Sequence, residues 1–263
     1  MKRASPSLTV VAALLFAFLY APIVIVVLFS FNAARFGAGW QGFTLDWYAK
    51  LFQNKLALEA VRNTLVLAAC STLVATVLGT MLGYALRRFE FPGRRLLGRL
   101  LHVPVFVPDV VMAVSLLLLF KLAREWFGIF ELGLTTMAVA HVTFQIPFVA
   151  IVVRSRMAGL DPALEEAAHD LGANAGQAFR HVTLPLMMPG VLAGAMLAFT
   201  LSLDDFVVSF FTSGPGATTL PVLIYSSVKR GVTPDINALS TFIIALSAAA
   251  TVGVTLLQRR QQT

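Results

Sequence analysis

Six long apolar runs constrain this chain more than any other feature of its sequence. A helix needs ~20 residues to cross the hydrocarbon core of a bilayer, and each run is long enough. They comprise residues 8–31, 63–86, 100–120, 132–153, 184–211 and 236–257. Four runs contain no charged residue, whereas the third contains Asp109 and the fifth contains Asp204 and Asp205. The pattern predicts an all-α membrane protein with six transmembrane helices in contact with lipid.

The amino-acid composition excludes a soluble protein. Only 13% of the residues are charged and 58% are hydrophobic, with a mean hydropathy of +0.81. A soluble domain carries about a quarter charged residues, so this much apolar surface exceeds what one soluble core can bury. The net charge of +7 could indicate a nucleic-acid partner, but the basic residues cluster in short runs between the apolar ones. That arrangement is typical of membrane topology, and no nucleic-acid partner is expected.

The basic residues also predict the orientation. The first run follows Lys2 and Arg3 but is longer than the roughly 7–15 residues of a signal-peptide core, so it is interpreted as a retained anchor. With both chain ends in the cytoplasm, twelve of the 20 Lys and Arg residues fall on the cytoplasmic side. Because cytoplasmic loops carry an excess of positive charge, the sequence predicts cytoplasmic N- and C-termini.

Small residues and prolines predict how the spans pack and bend. Gly79 with Gly83, and Gly190 with Gly194, form two Gly-x-x-x-Gly pairs, each of which lets a neighbouring helix approach closely. Prolines within the runs are expected to bend their helices. They are Pro104, Pro108, Pro147 and Pro189.

The segment between the fourth and fifth runs, residues 154–183, predicts two short helices outside the membrane. Asp161 and Pro162 form a helix start, because aspartate caps free amide groups and proline suits the first turn. Gly172 suits the left-handed residue that ends a helix, and Asn174 can cap a second one. Apolar residues at helical spacing form a stripe along the first helix. They are Leu160, Leu164, Ala167, Ala168 and Leu171. The stripe needs cover, either from the chain's own span ends or from a partner.

This segment resembles the signature loop of ABC-importer permeases. The matching residues are Glu166, Ala167, Ala168, Gly172, Val182, Leu184 and Pro185. The sequence departs from the family pattern only by Val182 in place of isoleucine. The resemblance implies a type I importer permease of MetI-like architecture in the bacterial inner membrane. It also implies that the loop is the coupling helix, and that the partners are a second permease subunit, two copies of a cytoplasmic ATPase and a periplasmic solute-binding protein.

Further segments are similar to the permeases of polyamine importers, which carry spermidine and putrescine. They are Ser30-Phe31-Asn32, Trp40-Gln41-Gly42-Phe43-Thr44, Trp47-Tyr48, Pro108-Asp109, Phe199-Thr200-Leu201-Ser202, Asp204-Asp205, Ser213-Gly214-Pro215-Gly216 and Asn237-Ala238-Leu239. The resemblance implies half of a translocation path for a polyamine, although permeases for other small solutes share the loop. It further implies an N-terminal anchor and periplasmic segment over 1–62, a five-helix core over 63–257 and a cytoplasmic tail over 258–263.

No enzyme motif is present in the chain. It lacks the Gly-x-x-x-x-Gly-Lys-Ser/Thr loop that holds ATP phosphates, and it lacks Gly-x-Ser-x-Gly and His-Glu-x-x-His. We therefore expect no catalytic residue, cofactor or metal site, with ATP hydrolysed by a separate partner subunit. An ion-driven secondary transporter is the alternative from a different class, although the internal repeats typical of such folds are not visible.

Carboxylates within the runs are the candidate solute contacts. An unpaired charge at the centre of a bilayer costs ~3 kcal/mol or more, so such a residue faces a cavity or a partner. Asp109 is expected near the membrane midplane on the solute path, or else hydrogen-bonded to backbone freed by Pro108. Asp204 and Asp205 are adjacent on a predicted helix, so at most one of them is expected to face the path.

Aromatic and histidine side chains complete the set of candidates. Trp47 and Tyr48 are expected to offer aromatic faces to a cationic solute, with an interfacial aromatic belt as the alternative. Trp40 and Phe206 are further candidates for cation binding. Two histidines, at 102 and 141, lie in different runs without a second ligand four residues away. They are interpreted as buried polar residues satisfied within the bundle.

Overall fold

The computed structural model describes residues 6–34, 39–231, 234–245 and 248, which divide into two compact units. The central unit is Glu59–Val222, and the terminal unit comprises the described residues up to Leu58 and from Leu223 onward. Every regular element within the described ranges is a helix, apart from an isolated bridge between Asn32 and Phe43. The all-α prediction is confirmed.

Long apolar helices cover four of the six predicted runs. They are α1 (Pro6–Phe29), α3 (Lys55–Arg88), α7 (Leu134–Ala158) and α10 (Leu184–Leu203), with α2 (Asp46–Gln53) between the first two. Each of the four lies in a segment long and apolar enough to cross a membrane, and a bent helix pair makes a possible fifth span in the described part of the chain. Residues 234–245 are helical. In the sixth run, residues 246, 247 and 249–257 lie outside the described residues, and so does the predicted tail 258–263.

The third run is not the continuous helix that was expected over 100–120. It forms α4 (Arg94–Leu100), α5 (Val103–Phe106) and α6 (Asp109–Phe127), and the direction changes by 111° between Phe106 and Asp109. The cause is Pro108, which disfavours helical geometry at the residue before it. Val107 is accordingly extended, with φ −75° and ψ 128°. The proline bend is confirmed, and Asp109 becomes the first residue of a helix instead of a mid-helix residue.

The fifth run, expected to be continuous over 184–211, is also broken. α10 ends at Leu203, and α11 (Val207–Thr212) begins three residues after Asp204. Both carboxylate oxygens of Asp205 accept backbone hydrogen bonds from the first turn of α11, from Val208 N at 3.2 Å and Ser209 N at 2.7 Å. This capping satisfies amide groups that have no partner at a helix start, so a polar pair inside an apolar run starts a new helix.

Glycines on α3 and α10 allow both helices to pack closely against α7. A Cβ atom at Gly79 would lie 2.7 Å from Val149 Cβ, and one at Gly83 would lie 2.7 Å from Ala150 O. On α10, a Cβ at Gly190 would lie 2.6 Å from Arg156 Cβ, and one at Gly194 would lie 3.2 Å from a methyl group of Val149. Real Cβ atoms cannot approach so closely at three of these four positions. The predicted packing role of both Gly-x-x-x-Gly pairs is confirmed.

The segment after α7 begins later than the sequence predicted. α7 continues past Arg154 to Ala158, because charged residues end an apolar run without ending a helix. Its last turns stay anchored by Arg156, whose Nε donates to Leu186 O at 3.1 Å. Beyond Gly159 follow α8 (Ala163–Asp170), α9 (Ala175–Ala178) and a π-helical turn over Phe179–Thr183 that leads into α10. A further helix, α12 (Leu220–Arg230), follows α11.

Candidate functional site

A cavity of about 310 Å³ in the central unit brings together the three predicted carboxylates. Its lining includes Asp109 at the start of α6, and Asp204 and Asp205 in the break between α10 and α11. The sequence identified each residue separately and did not predict that they share one cavity. Both broken runs therefore meet at the same place in the unit, and the helix breaks are what bring the carboxylates to the cavity wall.

The side chain of Asp205 is occupied by contacts within the protein. Besides capping α11, its Oδ2 lies 3.3 Å from Nε2 of His141 on α7, and its side chain is only 11% exposed. A carboxylate with three such contacts has little capacity left for a solute. The expectation that at most one of the adjacent pair faces the path is consistent with this geometry.

His141 is fully buried at the centre of a polar network. Its Nδ1 lies 2.7 Å from Ser202 Oγ, and its Nε2 lies 3.1 Å from Ser209 Oγ. Ser202 Oγ in turn lies 3.4 Å from Ser71 Oγ on α3. The network links α3, α7, α10 and α11 through groups that would otherwise be buried without partners. The interpretation of His141 as a satisfied buried residue is confirmed, whereas His102 is exposed and that prediction is wrong.

Asp109 and Asp204 differ from Asp205 in having exposed side chains. Within the described part of the chain, neither carboxylate has a hydrogen bond to a protein group or an ion pair with a basic residue. In particular, Asp109 does not bond the backbone freed by Pro108, which was the structural alternative for this residue. Two carboxylates in one cavity, both without protein partners, create a negatively charged wall that favours a cation.

Phenylalanines form the apolar part of the same cavity. Phe144 and Phe148 lie near the middle of α7, and Phe206 lies in the break beside Asp205. Aromatic faces attract cations and tolerate the apolar stem of an alkylammonium group. The sequence pointed to Phe206 and missed the other two. Their signal was spacing: Phe144 and Phe148 are four residues apart, and they share a helix face with His141 and Gln145.

Trp47 and Tyr48 lie in the terminal unit, on α2, and are each bonded within it. The indole Nε1 of Trp47 donates to Asn32 O at 2.8 Å, and the Tyr48 hydroxyl lies 2.8 Å from Ser30 Oγ. The ammonium group of Lys50 sits 4.5 Å from the centre of the Trp47 ring. Both side chains are half-buried. Their predicted contact with a solute stays a prediction.

The segment after α7 has the local structure that its sequence predicts. Asp161 Oδ1 accepts from Ala163 N at 3.0 Å at the start of α8. Gly172 has a φ of +87°, and Ala173 N donates to Ala168 O at 3.0 Å across it. This pair of features is the glycine-terminated helix end expected at that position. Asn174 then caps α9 by accepting from Gln177 N at 3.0 Å.

Part of the apolar stripe on this segment faces outward. Leu171 is 90% exposed and Leu164 is 48% exposed, whereas Leu160 packs into the core beside Val153 and Met187. Glu166 and Ala167 are exposed and Ala168 is half-buried. Of the stripe, Leu160 is covered by the core and Ala168 is half-buried, whereas Leu164, Ala167 and Leu171 stay exposed. The remainder is an apolar surface next to an acidic residue, which is suited to contact with another protein.

Neighbouring contacts hold that surface in place. Glu165, next to Glu166, forms a 3.0 Å ion pair with Arg88 at the end of α3. Leu184 and Pro185 open α10, where Leu184 packs into the core and Pro185 is exposed. Pro185 has no amide hydrogen to donate to the preceding turn, and the backbone there widens into the π-helical turn. α8 is thereby fixed to two membrane-length helices, so a force on α8 would reach them.

The sequence and fold were compared with those of known proteins. Residues 75–262 match the family model described as "Binding-protein-dependent transport system inner membrane component". The chain is 44% identical over 245 residues to the spermidine/putrescine transport system permease protein PotC of Escherichia coli K12, covering 93% of this chain and 91% of PotC. It is also 44% identical over 242 residues to the putrescine transport system permease protein PotI of the same strain, covering 91% and 86%.

A solved structure shares the same architecture. A chain from a bacterial ABC transporter involved in the import of the acidic polysaccharide alginate aligns with a TM-score of 0.75 at 19% identity, covering 97% of this chain and 94% of that one. At this identity the likeness concerns the fold. It agrees with the expected architecture of an importer permease.

Proposed function

This chain belongs to the family of binding-protein-dependent transport system inner membrane components, and we propose that it forms half of the translocation path of an ATP-driven polyamine importer. The solute is spermidine, putrescine or both, delivered by a periplasmic binding protein. The other half of the path is a second permease subunit. Two copies of a cytoplasmic ATPase supply the energy, and this chain itself catalyses no reaction.

The cavity that contains Asp109 and Asp204 is the observation that carries this proposal. Polyamines are flexible chains with two or more ammonium groups separated by methylene segments. Asp109 and Asp204, which have no partner within the described ranges, suit the ammonium groups, and Phe144, Phe148 and Phe206 suit the methylene segments. Relatives whose names specify spermidine and putrescine support the same solute class.

The cavity suits a transport path better than a tight binding site. It belongs to one subunit, the side chains of Asp109 and Asp204 are exposed, and each of these two carboxylates offers a single charge to the solute. Exposed ion pairs contribute little free energy because water competes for both partners. A solute held this weakly can enter and leave during each cycle, so affinity is assigned to the binding protein that delivers it.

The ATPase would dock on the segment around α8. The proposed contact residues are Glu166, Ala167, Ala168 and Gly172, with Leu184 and Pro185 linking the segment to α10. The exposed leucines at 164 and 171 give the ATPase an apolar surface to bury. With α8 in the cytoplasm, the N- and C-termini are assigned to the cytoplasm as well.

Uptake measurements in intact cells test the proposed function. Cells that lack their own polyamine importers would express this chain together with its partner subunits. We expect ATP-dependent accumulation of radiolabelled spermidine or putrescine, and no accumulation when this chain is omitted. Accumulation that survives ATP depletion but stops when the proton gradient is collapsed would favour the secondary transporter. A correctly inserted complex that accumulates neither polyamine would overturn the solute assignment.

A further inference from the structure

A basic depression of about 1030 Å³ lies beside α4, at the end of the central unit that carries α8. Four arginines line it, from α4 and from the last turns of α7, together with His102. The arginines are Arg94, Arg95, Arg99 and Arg154, and the acidic residue in the lining is Glu90. The depression therefore has a strong excess of positive charge, and it is separate from the acidic cavity described above.

The charges within this basic depression are only partly balanced by protein groups. Arg94 is occupied, because it donates to Glu90 at 3.2 Å and to Leu86 O at 3.0 Å. Arg95, Arg99 and Arg154 have no hydrogen-bond acceptor or ion-pair partner in the described ranges. After Arg94 is paired with Glu90, three positive charges in the lining are not balanced by an acidic residue of the lining. The depression can therefore bind an anion.

Arg154 is the most informative of these residues. Its side chain is half-buried, and its guanidinium lies against α4 at Gly98, where a Cβ atom would be at an ordinary contact distance of 3.5 Å from Nη1. Because Arg154 has no acceptor in the described ranges, its guanidinium is available to pair with an anion that enters the depression. Orientation in the membrane requires positive charge on this side but does not require three unpaired arginines to converge.

Exposed apolar side chains lie on the same helical segment as the arginines of α4. Leu97 and Leu100 are exposed on α4, and further along Phe106 is 82% exposed. The segment Arg94–Phe106 turns by 111° relative to α6, so it does not continue the direction of that membrane-length helix. Basic residues beside apolar ones on a helix in this position are typical of segments at the lipid headgroup boundary.

We propose that the basic depression binds the headgroup of an anionic phospholipid, with its phosphate on Arg95, Arg99 and Arg154. Guanidinium groups pair with phosphate through parallel hydrogen bonds, and the acyl chains would lie along Leu97, Leu100 and Phe106. A soluble protein that covers the arginines is the alternative occupant, and measurements of lipid binding distinguish the two. The assignment does not depend on which solute is transported.

Lipid binding to the purified transporter, with all its subunits, provides the test. Native mass spectrometry in detergent would count bound phosphatidylglycerol and phosphatidylcholine as each is titrated. We expect preference for phosphatidylglycerol, reduced about fivefold by Arg154→Gln and about a hundredfold by joint replacement of Arg95, Arg99 and Arg154 with glutamine. Arg154→Lys retains the charge but cannot form the parallel pair of hydrogen bonds, so it should retain part of the preference, which separates the contribution of charge from that of guanidinium geometry.

Arg87→Gln is the matched control, because Arg87 is an exposed arginine at the same end of α3 and does not line the depression. Equal effects of Arg87→Gln and Arg154→Gln would overturn the site. So would competition by inorganic phosphate at concentrations similar to those of the lipid, which would indicate a free-anion site. Loss of the ATPase from the triple variant with unchanged lipid preference would instead indicate a protein-docking surface and would also overturn the proposal.

Discussion

The carboxylate of Asp205 lies 3.3 Å from Nε2 of His141, whereas the adjacent Asp204 has no such partner in the described part of the chain. Two neighbouring acids in one cavity thus have different environments. Asp205 caps α11 and joins it to α7, and Asp204 points its exposed carboxylate at the cavity. The pairing gives a physical basis for treating Asp205 as structural and Asp204, with Asp109, as a candidate solute contact.

The first prediction compares the two neighbours directly. We expect Asp204→Asn to lower polyamine uptake about two- to fivefold, because it removes one exposed charged partner of the solute, while the amount in the membrane stays normal. Asp205→Asn should act on the protein instead. The asparagine side chain has one oxygen, so it cannot accept the hydrogen bonds from Val208 N and Ser209 N on two separate oxygens. We expect this substitution to lower the free energy of unfolding by about 1 kcal/mol. Uptake, membrane level and thermal stability would be measured for both variants. The same change in all three quantities for Asp204→Asn and Asp205→Asn would contradict the assignment of Asp204 as a solute contact and Asp205 as a structural residue.

The second prediction concerns Asp109. Asp109→Asn keeps the shape of the side chain and removes its charge, so uptake should fall sharply with membrane level, ATPase assembly and binding-protein capture unchanged. Asp109→Glu retains the charge and serves as the control. Because the Asp109 side chain bonds no backbone group in the structure, a mere packing role predicts full uptake with asparagine. Radiolabelled spermidine and putrescine uptake decides between the two.

The third prediction concerns coupling. Glu166→Lys reverses the charge beside the exposed leucines, and Gly172→Asp places a side chain where φ is +87°, at a cost of about 1 kcal/mol. We expect both variants to insert normally and to lose ATPase co-purification or transport-coupled ATP hydrolysis.

The matched control for the glycine is Gly176→Ala, since Gly176 lies on α9 and a Cβ there meets only ordinary contacts. Glu131→Lys is the control for the charge reversal, because Glu131 is an exposed residue that pairs with Arg124 just before α7, at the opposite end of that helix from α8. Normal uptake and normal ATPase retention in both test variants would remove the segment from the docking site.

The fourth prediction concerns topology. A reporter that is active only outside the cytoplasm should be active when fused between Gly37, which lies outside the described residues, and Lys55, or at Gly216. It should be silent at Gly93, at Asn174 and at the C-terminus, the last of which lies outside the described residues. An active fusion at Gly93 or Asn174 would place α8 outside the cytoplasm and would contradict the ATPase assignment.

Local features of the fold could be predicted because each depends on a few neighbouring residues. The start at Asp161, the end at Gly172 and the cap at Asn174 follow from side-chain geometry within one helical turn. The close approach of α3 and α10 to α7 follows from glycines spaced four apart. The helix breaks at Pro108 and after Leu203 were harder to predict from the sequence. The apolar composition continues through both breaks, so it does not indicate where one helix ends and the next begins.

By itself, the sequence determined that this is a membrane protein of apolar helices, with a capped segment between the fourth and fifth runs. Hydrophobicity, charge placement and capping chemistry are encoded locally, so they can be identified without a fold. Only the tertiary structure decided that Asp109 and Asp204 share a cavity with two phenylalanines of α7, that Asp205 is held by His141, and that Arg154 meets α4 across Gly98. These relationships join residues far apart in the chain, and they exist only because two broken helices pack against α7.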